Sequence, residues 1–322
     1  MVVGAGGLAA GMRAVALTEY GDPDVLSVHE LPDPLVGPDS VLIRVRAAGL
    51  NPVDYKIRQG HLRGAFPHHT PLIPGWDVAG VVAAVGPAVT AFAEGDEVLG
   101  YVRKDHVQHG TYAELVAAPD RTLARKPAAL PFEQAGALPL AGLTALQALR
   151  AVGAGAGDTV LVHAAAGGVG HLAAQLAGAL GATRVIGTAS ERNHDFVRSL
   201  GAEPVTYGDG LVDRVAALVG GDGKVDVVVD LVPGGDTLPA SAKLVRDPAR
   251  VVSIVDAGGV KALGGRYVFV RPDAEQLAWL AELAGSGALR VEVQRVFPLA
   301  EAADAQRLLE EGHVRGKLVL TT

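Results

Sequence analysis

Two units of different texture are predicted: a small barrel of mainly antiparallel strands, and an α/β unit built on a doubly wound parallel sheet. Three observations carry this. Residues 12–126 divide into short apolar or alternating runs separated by Gly, Pro and Asp, the pattern of strands joined by turns. From about Pro131 helical spacing takes over, and nearly all-apolar strands alternate with helices, as a parallel sheet covered on both faces requires. The length, 322 residues, suits two domains of ordinary size.

The strand-rich part reads "RAVALTEY", "VLSVHEL", "SVLIRVRAAGL", "GVVAAVG", "DEVLGY" and "TYAELVAA". The helical stretch "PFEQAGALPLAGLTALQALRAV" follows, with few β-branched residues. Next come "DTVLVHAAAGGVGHLAAQLAGALGA", "TRVIGTASERNHDFVRSLGA", "EPVTYGDGLVDRVAALVGG", "VDVVVDLV" and "RVVSIVD", a strand–helix series. After "GGRYVFV" and a helix around "DAEQLAWLAELAGSGAL", the last segment from Val291 reads strand, helix, strand and suits a return into the first unit. Residues 1–11, "MVVGAGGLAAG", are expected to be a flexible leader, with Met12 opening the first clear strand.

Composition narrows the function classes. Half the chain is apolar (49%), so it folds around real cores and is not disordered. The 28 basic and 35 acidic residues leave a net charge of −7, and without a basic run nucleic acid is a poor partner. With no cysteine, disulfides, thiolate metal sites and cysteine nucleophiles are excluded. No run approaches the ~20 apolar residues of a membrane helix, and the start lacks the basic region of a signal peptide. A cytoplasmic protein with a small-molecule substrate is the expectation.

The segment "VLVHAAAGGVGHLAAQLA", Val160–Ala177, runs strand, tight turn, helix. A dinucleotide site needs that order, with backbone close to the pyrophosphate and a helix N-terminus aimed at it. Gly167 stands where the backbone must come close, and Gly170 where helix and strand must pack; Ala165 stands where the first glycine is usual. A glycine-lined crossover with no ligand is the alternative. The second strand, "RVIGTAS", ends without an acid; Ser190 stands at its tip, and Glu191 and Arg192 follow. A 2′-phosphate is welcomed by a hydroxyl and a guanidinium, which favours NADPH over NADH. An exposed charge at a helix start is the other reading of Arg192. Asp230, ending "VDVVVD", is read as a cap or ion-pair partner.

These motifs resemble the zinc-independent quinone oxidoreductase branch of the medium-chain dehydrogenase/reductase superfamily. The carriers are "VRAAGLNPVDYKIRQG", "IPGWDVAGVVAAVG", "GDEVLGY", "GTYAELV", "LPLAGLTA", "VHAAAGGVG", "GTASERN" and "GHVRGKLVL", in that order from Met12 onward. The branch has an AxxGxxG turn, matched by Ala164, Gly167 and Gly170. The resemblance implies a GroES-like catalytic domain (12–126 and 271–322) and a Rossmann NADPH-binding domain (127–270), with the active site between them. It also implies homodimers joined through strands like "RYVFV"; Tyr267–Val270 reads locally as a short apolar edge strand, which invites pairing.

In the alcohol dehydrogenase branch of that superfamily a catalytic Zn²⁺ sits on Cys, His and Cys. Here Asn51 stands at the first of those positions, Trp76 at the second, and only small or apolar residues around Ala141 at the third. No zinc is expected, because such a site needs three or four ligands of definite geometry. His61, His68, His69, His106 and His109 are read as loop residues lining or lidding the cleft, with a metal role as the lesser alternative.

The chemistry then expected is hydride addition to an activated C=C bond or a quinone, with hydrogen-bond donors stabilising the enolate. By resemblance Asn51, Tyr55 and Lys56 are the candidate catalytic residues, Asn51 through a hydrogen bond to ribose or substrate carbonyl. Thr144, Gly167, Gly168, Val169, Gly170, Ser190, Arg192, Tyr207, Arg315 and Lys317 are the candidate cofactor residues, the last two closing the cleft from the barrel side. Reduction or reductive cyclisation of a polyketide-like substrate, and a non-catalytic NADPH-binding protein, are the alternative functions.

Overall fold

The computed structural model describes residues 11–234 and 237–322. Residues 1–10 of the expected leader lie outside the described residues. Gly11, its last residue, opens the strand Gly11–Ala16, which pairs antiparallel with Ser27–Pro32.

The fold class agrees with the expectation. A seven-stranded, mainly antiparallel sheet runs in the order Val293–Pro298, Lys317–Thr321, Ser40–Gly49, Asp77–Val85, Glu97–Tyr101, Leu123–Arg125, with Leu115–Pro119 also paired to Ser40–Gly49. Two of its strands come from the C-terminal segment, so the chain's last strand stands beside Ser40–Gly49. Gly80 permits the close strand crossing: a Cβ there would lie 2.7 Å from the Ile43 side chain and press on the Arg44 carbonyl.

The second sheet is wholly parallel, in the order Glu203–Val205, Arg184–Thr188, Thr159–Val162, Val227–Asp230, Val251–Ser253, Arg266–Tyr267. Its central strands are mainly apolar because both faces are covered. Val160, Val162, Val227, Val229 and Val252 pack into one core, while Leu161, Ile186, Val228 and Val251 pack into another. Side chains alternate across a strand, so a residue of either parity needs to be apolar. The chain starts in the middle of the sheet, winds out one way, then returns and winds the other. Such an order opens a crevice at the carboxyl ends of the strands, here between Thr159–Val162 and Val227–Asp230.

Two local expectations are corrected. The strand read over Tyr267–Val270 is confined to Arg266–Tyr267, since its ladder partners are only Val252 and Ser253. His68, His69 and His109, read as loop residues, lie in a small parallel ladder, His68–Ile73 with Val107–His109. Among the described residues no helix is long and apolar enough to cross a membrane.

Candidate active site

The glycine turn follows the strand Thr159–Val162. Ala164 takes a left-handed conformation (φ 51°), the one non-glycine residue to do so among the described residues. The turn is laced to the next strand: Ala164 N donates to Thr188 Oγ1 at 3.0 Å and Ala165 N to Thr188 O at 2.9 Å. Ala165 is tolerated where a glycine is usual because its methyl faces Gly187; a Cβ at Gly187 would come within 2.5 Å of it. The small residue has therefore moved to the neighbouring strand. Gly170 opens the helix Gly170–Ala179 against the turn, and a Cβ there would overlap the Ala164 carbonyl oxygen. Gly167, Gly168 and Val169 form the half-buried lip between them, at the helix start, where anions are favoured.

The neighbouring strands bring the next residues together. Thr188 and Val205 share a ladder rung, and Ser190 and Tyr207 each stand two residues beyond it. Arg192 is exposed and, among the described residues, has no ion pair or hydrogen bond; Tyr207 is 57% exposed. Ser190 accepts a long 3.3 Å bond from Asn193 Nδ2. A hydroxyl, a phenol and a guanidinium without an ion pair thus follow the ends of two paired strands.

The other wall is a buried polar network. Asn51 caps the helix Pro52–Arg58, and its backbone N–H donates to Asp54 Oδ2 at 2.8 Å. Tyr112 donates to the same oxygen at 3.0 Å. Asn51 Nδ2 donates to Asp77 Oδ2 at 2.9 Å, and Leu140 N, at the start of the helix Pro139–Ala151, donates to Asp77 Oδ1 at 2.8 Å. The Lys317 ammonium donates to Leu50 O at 2.6 Å and to Asn51 Oδ1, and stands 4.0 Å from Asp77. Its stem passes the turn: a Cβ on Gly168 would lie 3.2 Å from Lys317 Cδ. Burial pushes Asp54 up to about 6 and Asp77 up to about 7, against the pull of Lys317, and pushes the Lys317 ammonium down.

This arrangement corrects the free-donor role read for Asn51. The residue is 2% exposed, and both ends of its amide are engaged inside the protein. Thr144 is likewise buried, its hydroxyl donating to Leu140 O at 2.7 Å, so it has no free proton for a ligand. Arg315 is paired with Glu292 at 3.0 Å and lies over the Phe196 ring, 5.1 Å from its centre. It ties the C-terminal segment to the parallel-sheet unit rather than standing free. Lys56 is exposed and Tyr55 half-buried, and no hydrogen bond joins either to Asn51, Asp77 or Lys317. Burial, then the Glu310 carboxylate, raise the Tyr55 pKa, which makes it the weaker acid.

Sequence reasoning passed over Asp77 and His171. His171 donates from Nδ1 to Gly167 O at 2.9 Å and accepts from Glu292 N at Nε2 at 3.2 Å. Burial holds it near 4, hence neutral, and those two partners need one donor and one acceptor. A histidine on the first turn after a glycine motif, in an otherwise apolar helix, was the available signal. At the zinc-ligand positions of the related branch stand the Asn51 amide, the buried Trp76 indole and the Ala141 methyl; these do not make a zinc site. Among the described residues no group of three or more His, Asp or Glu is placed to hold a metal ion. His68 instead shares a 3.0 Å hydrogen bond with Tyr20.

Comparison with known proteins follows the same lines. Residues 37–128 match the alcohol dehydrogenase GroES-like domain, and residues 180–320 match the family described as zinc-binding dehydrogenase. The chain is 38% identical over 317 residues to the NADPH-dependent alkenal/one oxidoreductase of Arabidopsis thaliana, covering 96% of this chain and 79% of that one. It superposes on the quinone oxidoreductase from Coxiella burnetii with a TM-score of 0.85 at 38% identity, over 97% and 99% of the two chains. It superposes on Escherichia coli quinone oxidoreductase complexed with NADPH with a TM-score of 0.82 at 28% identity, over 96% and 100%. With GroES-like and Rossmann units, an AxxGxxG turn and relatives of this kind, the chain belongs to the quinone oxidoreductase branch of the medium-chain dehydrogenase/reductase superfamily.

Proposed function

We propose that this chain is an NADPH-dependent oxidoreductase that reduces activated C=C bonds or quinones without zinc. The observation that carries the cofactor is the corner of Ser190, Arg192 and Tyr207, which has donors and no acid aimed at it from the strand tip. When bound, NADPH supplies the hydride to the electron-poor carbon. Gly167, Gly168, Val169 and Gly170 offer backbone to its pyrophosphate, and Arg192 pairs with its 2′-phosphate. Lys317 holds Asn51 and the glycine turn in one geometry, so the two walls of the cleft keep their spacing. Tyr55 and Lys56 are assigned to the substrate side, and with Tyr55 a weakened acid, water would supply the proton that the enolate takes up, leaving hydroxide. The names of the relatives, alkenal/one and quinone oxidoreductases, favour this over a non-catalytic binding protein.

The test is the ratio of kcat/KM with NADPH to that with NADH, on an enone and a quinone. We expect at least tenfold preference for NADPH. Arg192→Ala should cut the ratio by about ten- to a hundredfold, the worth of roughly 1.5–3 kcal/mol for a charge-assisted contact. Equal use of both cofactors by the unaltered protein would sink the assignment. The same assay on Tyr55→Phe checks the proton source: a loss of kcat beyond about a hundredfold would make it the acid after all. The proposal includes a cytoplasmic homodimer joined at the Arg266–Tyr267 edge, where the sheet order ends; a sedimentation mass of one chain would overturn the dimer.

A further inference from the structure

The loop that carries Tyr207 is held by a side chain that the proposed reaction does not account for. It runs over residues 206–210, between the strand Glu203–Val205 and the helix Leu211–Val219. Gly208 and Gly210 both take left-handed backbone, with φ 90° and 76°, a conformation that glycine adopts freely and leaves as freely. Tyr207, Gly208, Asp209 and Gly210 are all exposed, so packing does little to order them.

Arg214, close to the start of that helix, supplies the order instead. Its Nε donates to Thr206 O at 3.1 Å, and Nη1 donates to Asp209 O at 2.6 Å. Nη2 reaches Thr206 O at 2.9 Å and the Tyr207 and Gly208 carbonyls at 3.3 Å each. One planar fork thus gathers four successive carbonyls, a geometry that an ammonium does not reproduce. A cation this near a helix N-terminus is disfavoured by the dipole, and the carbonyl contacts offset that cost. No acid accounts for the placement either. Asp209 and Asp213 are exposed nearby, yet the guanidinium's donors go to carbonyls and, among the described residues, to no carboxylate.

We propose that Arg214 is a positioning residue for 2′-phosphate recognition: it fixes the loop so that the Tyr207 phenol stands ready for the phosphate, and it does not itself take the phosphate. This rests on the NADPH reading above and extends it to a residue outside the contact set. Val205, just before the loop, pairs with Thr188, so the loop begins beside the strand that leads to Ser190 and Arg192. The Tyr207 side chain makes no hydrogen bond among the described residues and is 57% exposed, so its placement depends on the backbone beneath it. A donor already in place binds more tightly than one that must be ordered on binding, because ordering costs conformational entropy. Each of the three Arg214 guanidinium nitrogens is engaged by a carbonyl, which leaves the phosphate to Tyr207 and Arg192.

The probes are adenosine 2′,5′-bisphosphate and 5′-AMP, which differ by the 2′-phosphate alone, each titrated by calorimetry into the full chain. The unaltered protein should bind the bisphosphate at least about tenfold more tightly, and Arg214→Met should cut that ratio by about five- to tenfold, the scale of one hydrogen bond to a charged group. Arg214→Lys should recover only part of the loss, since an ammonium lacks the planar fork. In a Tyr207→Ala background there is no phenol to position, and Arg214→Met should then shift the ratio by less than about twofold. A ratio that Arg214→Met leaves intact, equal weakening of both nucleotides included, overturns the role. So does the full loss in the Tyr207→Ala background, which would mean that Arg214 acts through its own charge. If the unaltered protein binds the two nucleotides alike, it is the NADPH reading that fails. The hold on the loop is then decided by hydrogen exchange: the amides of residues 207–211 should exchange at least about tenfold faster in Arg214→Met, and an unchanged rate refutes it.

Discussion

Replacing Lys317 with methionine is expected to destabilise the protein by about 3–5 kcal/mol at pH 8, the usual cost of removing one partner from a buried charged set. It should also lower kcat/KM by about a hundredfold or more, as misplacing a reacting geometry does. Lys317 is 4% exposed, and its ammonium orients Asn51 while its stem packs on Gly168. Without it Asp54 and Asp77 share a buried site with no cation. The loss should depend on pH. Both carboxyls are raised, to about 6 and about 7 from 3.8, so the folded state prefers them protonated. Their contribution is fully present below pH ~3.8 and is lost as pH rises through about 7. At pH 5 the Lys317→Met protein leaves mostly neutral acids behind; at pH 8 it leaves two unpaired charges. Urea unfolding at the two values should therefore show the larger difference from the unaltered protein at pH 8. An equal difference at both would refute the ionised network.

The second large effect is expected at Gly170. Its substitution by alanine puts a methyl into the Ala164 carbonyl oxygen, 2.8 Å from the carbonyl carbon and 2.9 Å from Ala165 Cα. Every one of these atoms is backbone, so no rotamer change relieves the overlap. The helix Gly170–Ala179 must draw back from the turn, at a cost of about 3 kcal/mol. NADPH affinity should fall with it, because the helix N-terminus no longer reaches the pyrophosphate. Gly178 in the same helix is the control: a Cβ there meets nothing within 4 Å. Gly178→Ala should be neutral or stabilising by up to ~1 kcal/mol. Thermal unfolding and a cofactor fluorescence titration on both variants separate the outcomes; similar behaviour would mean that the glycine turn tolerates bulk and that its close packing has been misread.

Much of this was legible in the chain because its signals are local. An apolar run such as Val227–Val229 is read as lying between two cores, and the structure divides its residues between them. The sequence "AAAGGVG" shows strand, turn and helix within a few residues, and "GTAS" shows a strand tip without an acid. The expected tolerance of Ala165 was legible only as family habit; its physical cause, the bare Gly187 opposite, depends on how two strands pair. The ladder His68–Ile73 with Val107–His109 was missed for the same reason, since a short parallel pair across tens of residues leaves no turn signal between its strands.

The candidate site divides in the same way. Residue types near the turn and at the second strand tip could be chosen from the sequence because each acts through its own stretch of backbone. What Asn51 does could not, since its amide is engaged by Asp77 and Lys317, 26 and 266 positions away. The sequence by itself determined the two units, their winding, the dinucleotide turn and the absence of zinc ligands. Only the tertiary structure decided which polar atoms are spent internally, as on Asn51 and Thr144, and which, as on Arg192, are not. Hydrogen-bond satisfaction is settled by whichever groups folding brings within ~3 Å, and in a chain whose last strand pairs with Ser40–Gly49 those groups come from distant parts of the sequence.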